Sequence, residues 1–170
     1  MKLKTAILTI SDRSSRGERE DRSGPALQKA VESQGWEVSG MDIIPDEMAV
    51  IQQRLIRWAD SGDHEVILTT GGTGFSPLDV TPEATRSVLD RTAPGLTEAM
   101  RAASLKITPH AMLSRAEAGI RRQALIVNLP GSPQGAVENF LVIAEVLPHA
   151  VELLQEQKGA ESGHRLSASG

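Results

Sequence analysis

Three short apolar runs, Lys4–Ile10 (KTAILTI), Val66–Thr70 (VILTT) and Ala124–Leu129 (ALIVNL), set the architecture of this chain. None has the strict apolar–polar alternation of a strand with one wet face. Each predicts a short strand buried on both sides, the pattern of a mostly parallel sheet covered by helices on both faces. Each also runs directly into turn residues: Ser11-Asp12-Arg13, Gly71-Gly72-Thr73-Gly74 and Pro130-Gly131-Ser132-Pro133.

Helical patterns fill the gaps. Ser23 to Gln34 predicts a helix with Ser23 as N-cap, Pro25 in the first turn and Gly35 just past the end. Glu37 to Ile44 returns to a strand pattern. Asp46 is placed to cap a helix in which Val50, Ile51, Leu55, Ile56 and Trp58 recur at near-helical spacing. Thr81 reads as an N-cap, with Pro82 at the first helical position and Glu83 beside the positive end of the dipole. A helix from about Leu96 to Leu105 follows the Pro94-Gly95 break, and Ala116 to Arg121 stays open between strand and coil. The last helices cover roughly Pro133 to Gln155, broken near Pro148. The expected fold is a single three-layer α/β/α domain over residues 1–156. The Ser/Gly/Ala-rich segment 157–170 reads as a disordered tail.

Composition excludes several kinds of chemistry. The chain of 170 residues has no cysteine, which removes disulfides, thiolate nucleophiles and cysteine-ligated metals. A formal net charge of −4 with interspersed signs argues against nucleic acid as the main partner. The few aromatics, Trp36, Trp58, Phe75 and Phe140, give no base-stacking platform. No stretch approaches the roughly 20 apolar residues that cross a bilayer, so a cytoplasmic protein without membrane contact is expected. His64, His110, His149 and His164 lack metal-ligand spacing and read as incidental surface residues.

Ligands of such sheets bind outside the carboxyl ends of the strands. That rule brings Ser11, Asp12, Pro45-Asp46-Glu47, the Thr70–Gly74 turn and Asn128-Leu129-Pro130-Gly131-Ser132 to one edge. The Thr70–Gly74 turn is able to point several backbone N–H groups at an anion. It lacks the Gly-Lys-Ser/Thr ending of a Walker loop and the glycine spacing of a dinucleotide fingerprint. The acids carry two readings each. Asp46 is either a helix cap or a functional acid, and Asp12 either closes a turn or faces a ligand. Asp79, two residues before a helix, need not be a cap. Arg13, Arg16, Arg19 and Arg22, interleaved with Glu18, Glu20 and Asp21, form either a solvated loop or a cover over an anionic ligand.

Taken in order, Thr70-Gly71-Gly72-Thr73-Gly74, Asp79-Val80-Thr81-Pro82-Glu83-Ala84-Thr85 and Asn128-Leu129-Pro130-Gly131-Ser132-Pro133 resemble the molybdopterin adenylyltransferases of the MogA type. Ser11-Asp12-Arg13, Arg22-Ser23-Gly24-Pro25 and Ile44-Pro45-Asp46-Glu47 add to the match, which spans about Ile7 to Leu154. The resemblance implies transfer of AMP from ATP to molybdopterin with release of pyrophosphate. It implies Asp46 and Asp79 as the essential acids and a Mg²⁺ ion held by Asp79 with Asp46 or Asp12. The nucleotide and pterin would be bound by Ser11, Asp12, Thr70, Gly71, Gly72, Thr73, Gly74, Thr81, Asn128, Pro130, Gly131 and Ser132. A homotrimer and a separate downstream molybdate insertase are further implications. One departure stands out: Leu78 occupies a position where many relatives carry Arg. The rival reading is a non-catalytic molybdopterin carrier or trimeric scaffold of the MoaB type.

Overall fold

Strand β1 (Lys4–Ile10) lies inside a six-stranded sheet and is buried from Thr5 onward. The computed structural model describes residues 1–156, so the expected tail at 157–170 lies outside the described residues. The other strands are β2 (Glu37–Ile44), β3 (Val66–Thr70), β4 (Arg91–Thr92), β5 (Ala118–Arg121) and β6 (Ala124–Leu129), in the order β2-β1-β3-β6-β5-β4. Strands β2, β1, β3 and β6 are mutually parallel, and β5 runs antiparallel to both β6 and β4. The expected mostly parallel sheet is therefore present. The segment left open at Ala116–Arg121 supplies β5, and the two-residue β4 was too short to carry a pattern.

Period-two alternation divides the buried side chains between two layers. Ile7, Leu68, Val127 and Leu129 face a core completed by α2 (Ser23–Ser33), α5 (Pro94–Leu105), α6 (Pro133–Ala144) and α7 (Leu147–Gln155). Leu8, Ile10, Ile67 and Ile126 face a second core built with α3 (Met48–Ser61) and α4 (Thr81–Val88). Trp36 and Phe140 meet edge to face at 5.7 Å in the first of these layers. A four-residue turn of helix, α1 (Asp12–Ser15), follows β1, and a 3-10 helix spans Pro109–Leu113.

Several helix starts differ from expectation for one reason: their polar side chains are drawn to the strand-end turns. Residue Arg22 is the N-cap of α2, and Ser23 Oγ instead donates to the Gly131 carbonyl at 2.5 Å. Glu47, not Asp46, precedes α3 and makes no side-chain cap. Val80 precedes α4, while Thr81 is its first residue and donates its hydroxyl to Gly71 O at 3.0 Å. Helix α5 starts at Pro94, since proline suits a first turn whose N–H groups have no partner. The break between α6 and α7 falls at Glu145–Val146, just before Pro148, which sits in the first turn of α7. His64 is not a surface residue: it is only 9% exposed, lies against Trp58 and is hydrogen bonded to Ser39.

Candidate active site

Because β1 has β2 on one side and β3 on the other, the sheet changes winding direction at β1, and a cleft opens at the carboxyl ends of the two neighbours. The turn after β3 forms its floor. Gly71 (φ +105°) and Gly72 (φ +69°) both take left-handed backbone that disfavours side chains. Space enforces the same choice. A Cβ on Gly71 would collide with the Ile10 carbonyl oxygen, and one on Gly72 would strike Thr81 Oγ1 and come within 2.9 Å of Asp46 Oδ1. Cross-links then fix the turn. Thr81 donates from its backbone to Gly72 O (3.2 Å) as well as from its hydroxyl to Gly71 O. Thr70 Oγ1 donates to Pro130 O at 2.6 Å. A Cβ on Gly131 would stand 3.3 Å from Gly71 Cα, so the turns after β3 and β6 touch.

Two carboxylates flank that floor. Asp46 Oδ2 accepts from Asp12 N, and Asp12 Oδ1 accepts from Asp46 N, each at 2.9 Å, which ties the end of β1 to the end of β2. Asp79 Oδ2 accepts from Gly74 N (3.0 Å) and Ser76 N (3.2 Å), closing the loop on itself. Among the described residues, Asp46 Oδ1 and Asp79 Oδ1 have no hydrogen-bond partner. Burial pushes the Asp46 carboxyl above its ordinary range; the Asp12 amide pulls it back, and the charges of Asp12 and Asp79 push it further up.

The cleft, of about 560 Å³, brings Ser11, Asp46, Thr70, Gly71, Gly72, Asp79, Gly131 and Ser132 together. Arg19, Arg22, Glu20 and Asp21 form one wall, so part of the mixed charge run does lie along the site. Asp21 anchors this wall by accepting from Thr9 Oγ1 at 2.8 Å and Gly24 N at 3.1 Å. Ser132 caps α6 by accepting from Gly135 N, which leaves the positive end of a 12-residue helix at the cleft. A second, more apolar cavity of about 470 Å³ shares Gly72, Asp79, Gly131 and Ser132 and continues past Thr73 and Gly74 to Met100, Ile107 and Leu113.

Of the expected residues, Asn128 lines the second cavity with its polar atoms already engaged, and Asp12 lines neither. Asn128 is fully buried; its amide donates to Thr69 Oγ1 and Thr85 Oγ1 (2.9 Å each), and its Oδ1 accepts from Glu117 N. It braces the floor from below. Asp12 directs Oδ1 at the Asp46 amide and is absent from the cleft lining. Among the described residues no three His, Cys, Asp or Glu side chains gather as a metal-binding group. Of the three acids expected near a metal, Asp46 and Asp79 line the cleft and Asp12 does not. Leu78 is 64% exposed and brings no charge. Missed altogether was Arg115, which reaches the Asp79 loop from the segment between the 3-10 helix and β5.

A winding switch that opens onto a glycine turn, a helix N-terminus and paired carboxylates defines an α/β protein whose strand ends suit a small anionic ligand. The chain belongs to the family described as "Probable molybdopterin binding domain", whose model matches residues 6–149. It is 44% identical over 161 residues to gephyrin of Dictyostelium discoideum, an alignment covering 89% of this chain but only 22% of that protein. The chain thus spans less than a quarter of gephyrin's length. It is 44% identical over 140 residues to the molybdopterin adenylyltransferase of Escherichia coli K12, covering 81% of this chain and 72% of the relative. Among solved structures, the molybdopterin biosynthesis enzyme MoaB of Thermus thermophilus superposes with a TM-score of 0.84 at 47% identity, covering 89% of this chain and 96% of that one. No helix among the described residues is long and apolar enough to cross a membrane.

Proposed function

We propose that this chain is a molybdopterin adenylyltransferase, moving AMP from ATP to the terminal phosphate of molybdopterin. The observation that carries the reading is the pair of unpartnered oxygens, Asp46 Oδ1 and Asp79 Oδ1, beside a glycine turn, with Asp79 at the boundary between two cavities. Two substrates that must meet need two adjoining sites, and the Gly72–Asp79 wall belongs to both. The name of the Escherichia coli relative supports the same activity.

In this reaction an oxygen of the pterin phosphate bonds to the α-phosphorus of ATP while the bond from that phosphorus to the pyrophosphate oxygen breaks. The attacking phosphate is already anionic at neutral pH, so no side chain has to remove a proton. What the protein supplies is alignment and compensation of charge. Backbone N–H groups of the Gly71–Gly74 turn and the start of α6 suit phosphate oxygens. Ser11, Thr73 and Ser132 add hydroxyl donors.

The carboxylates by themselves would repel a triphosphate. Asp21, Asp46, Asp79 and Glu20 outnumber Arg19 and Arg22 around the cleft, so a polyphosphate requires added positive charge. Asp46 and Asp79 are the residues that would hold Mg²⁺, which when bound supplies that charge. The reading extends to a homotrimer and to a separate molybdate insertase that takes the product. Light scattering of the purified chain tests the first. Incubation with molybdopterin, ATP and Mg²⁺ tests the activity, with adenylylated molybdopterin and pyrophosphate as expected products. Tight pterin binding without either product would replace the enzyme by a carrier.

A further inference from the structure

We infer that Arg115 is a positioning residue for Asp79, an assignment that rests on the adenylyltransferase reading. The loop from Gly74 to Asp79 is held from two sides. From within, Asp79 Oδ2 accepts from the amides of Gly74 and Ser76. From without, Arg115 Nε donates to Gly74 O and Nη2 to Asp79 O, both at 2.8 Å, so one planar guanidinium spans the two ends of the loop. Arg115 N also donates to Thr73 O at 2.9 Å, and Nη1 pairs with Glu83 at the start of α4. With Oδ2 engaged and the main chain of residue 79 clamped, the Asp79 side chain keeps one orientation, and Oδ1 remains available.

The identity of the residue follows from this geometry. A guanidinium offers donors at fixed separation in one plane and keeps its charge at every working pH. A lysine ammonium keeps the attraction to Glu83 but cannot hold both carbonyls in that fixed planar arrangement. The Arg115–Glu83 pair is partly exposed, so the ion pair alone contributes little. The bridge across Gly74 and Asp79 is what the function requires.

The test compares wild type, R115M and R115K in two measurements: steady-state adenylylation and amide hydrogen exchange. Both variants should lose about tenfold or more in kcat with the molybdopterin KM within about twofold, because alignment is lost and not binding. Exchange at Gly74 N and Ser76 N should quicken by about tenfold while amides of β1 and β3 keep their protection. R115K with wild-type kcat would overturn the bridge, and unchanged protection of Gly74 and Ser76 in R115K would overturn it whatever kcat does. If R115M fails to fold, R115K alone decides. A wild-type chain that makes no product refutes the adenylyltransferase reading, whereas the exchange measurement still judges Arg115.

Discussion

Two cavities of nearly equal size treat their charged residues in opposite ways. The strand-end cleft, about 560 Å³, leaves Asp46 and Asp79 each with an unpartnered oxygen. The other, about 570 Å³, lies between the edge strand β2 and α3, and carries two basic and two acidic side chains, Arg54, Arg57, Asp42 and Asp63. There Arg54 pairs with Asp42 and lies 5.5 Å over the Trp58 ring, while His64 Nδ1 is bonded to Ser39 Oγ at 2.8 Å. Burial pushes the His64 imidazole below its usual range, which keeps it neutral. Volume does not separate the two cavities; the balance of charge does, since acids outnumber bases in the strand-end cleft and equal them in the other.

The contrast predicts where substitutions damage chemistry and where they damage only the fold. The largest effect belongs to D79N, which should lower adenylylation by about a hundredfold. Its amide oxygen is still able to accept from Gly74 and Ser76, so the melting temperature should hold; unchanged turnover would remove Asp79 from the mechanism. G71A comes next. Its new methyl meets the Ile10 carbonyl at a positive φ, and roughly 3 kcal/mol of stability should be lost in urea unfolding. A shift of a few tenths would mean that the turn relaxes freely.

On the other side of the comparison, R54M should cost about 1 kcal/mol, through the lost ion pair and ring contact, with turnover unchanged. A loss of activity there would break the distinction between the cavities. The smallest effect is also the one with an inverted sign. Because burial raises the folded-state pKa of Asp46, the stability it confers is complete at low pH and lost as pH rises through that value. At neutral pH its charge is a liability. D46N should therefore melt slightly higher than wild type near neutrality, and the gain should vanish on acidification below the ordinary aspartate range, while turnover falls. A lower melting temperature at neutral pH would contradict the burial argument.

How much of this was legible depended on range. Strands β1, β3 and β6 announce themselves because burial on both faces leaves an unbroken apolar run, and the ends of β3 and β6, with that of β2, deliver Asp46, Asp79, Gly71 and Gly131 to one edge. The helix caps misled because Ser23, Asp46 and Thr81 have types suited to local capping but spend their polar atoms on partners far along the chain. Arg115 gave no signal for the same reason: it acts 36 residues from Asp79, through carbonyls that any sequence possesses. His64 looked incidental because nothing near it in the chain foretells Ser39 and Trp58. Asn128 was correctly taken to the strand end, but its neighbours there are the threonines of β3 and α4.

The abutment of Gly131 on Gly71 bears on how this scaffold is to be re-engineered. With 3.3 Å between a would-be methyl on one turn and the main chain of the other, a side chain at residue 131 asks Gly71 to give by a few tenths of an ångström, and Gly71 belongs to the same joint as the Thr70–Pro130 hydrogen bond. The two turns are one interlocked part despite sixty residues of intervening chain. Grafting a new substrate preference onto this domain therefore favours exchanging both turns as a matched set, since a change in either one is felt by the other.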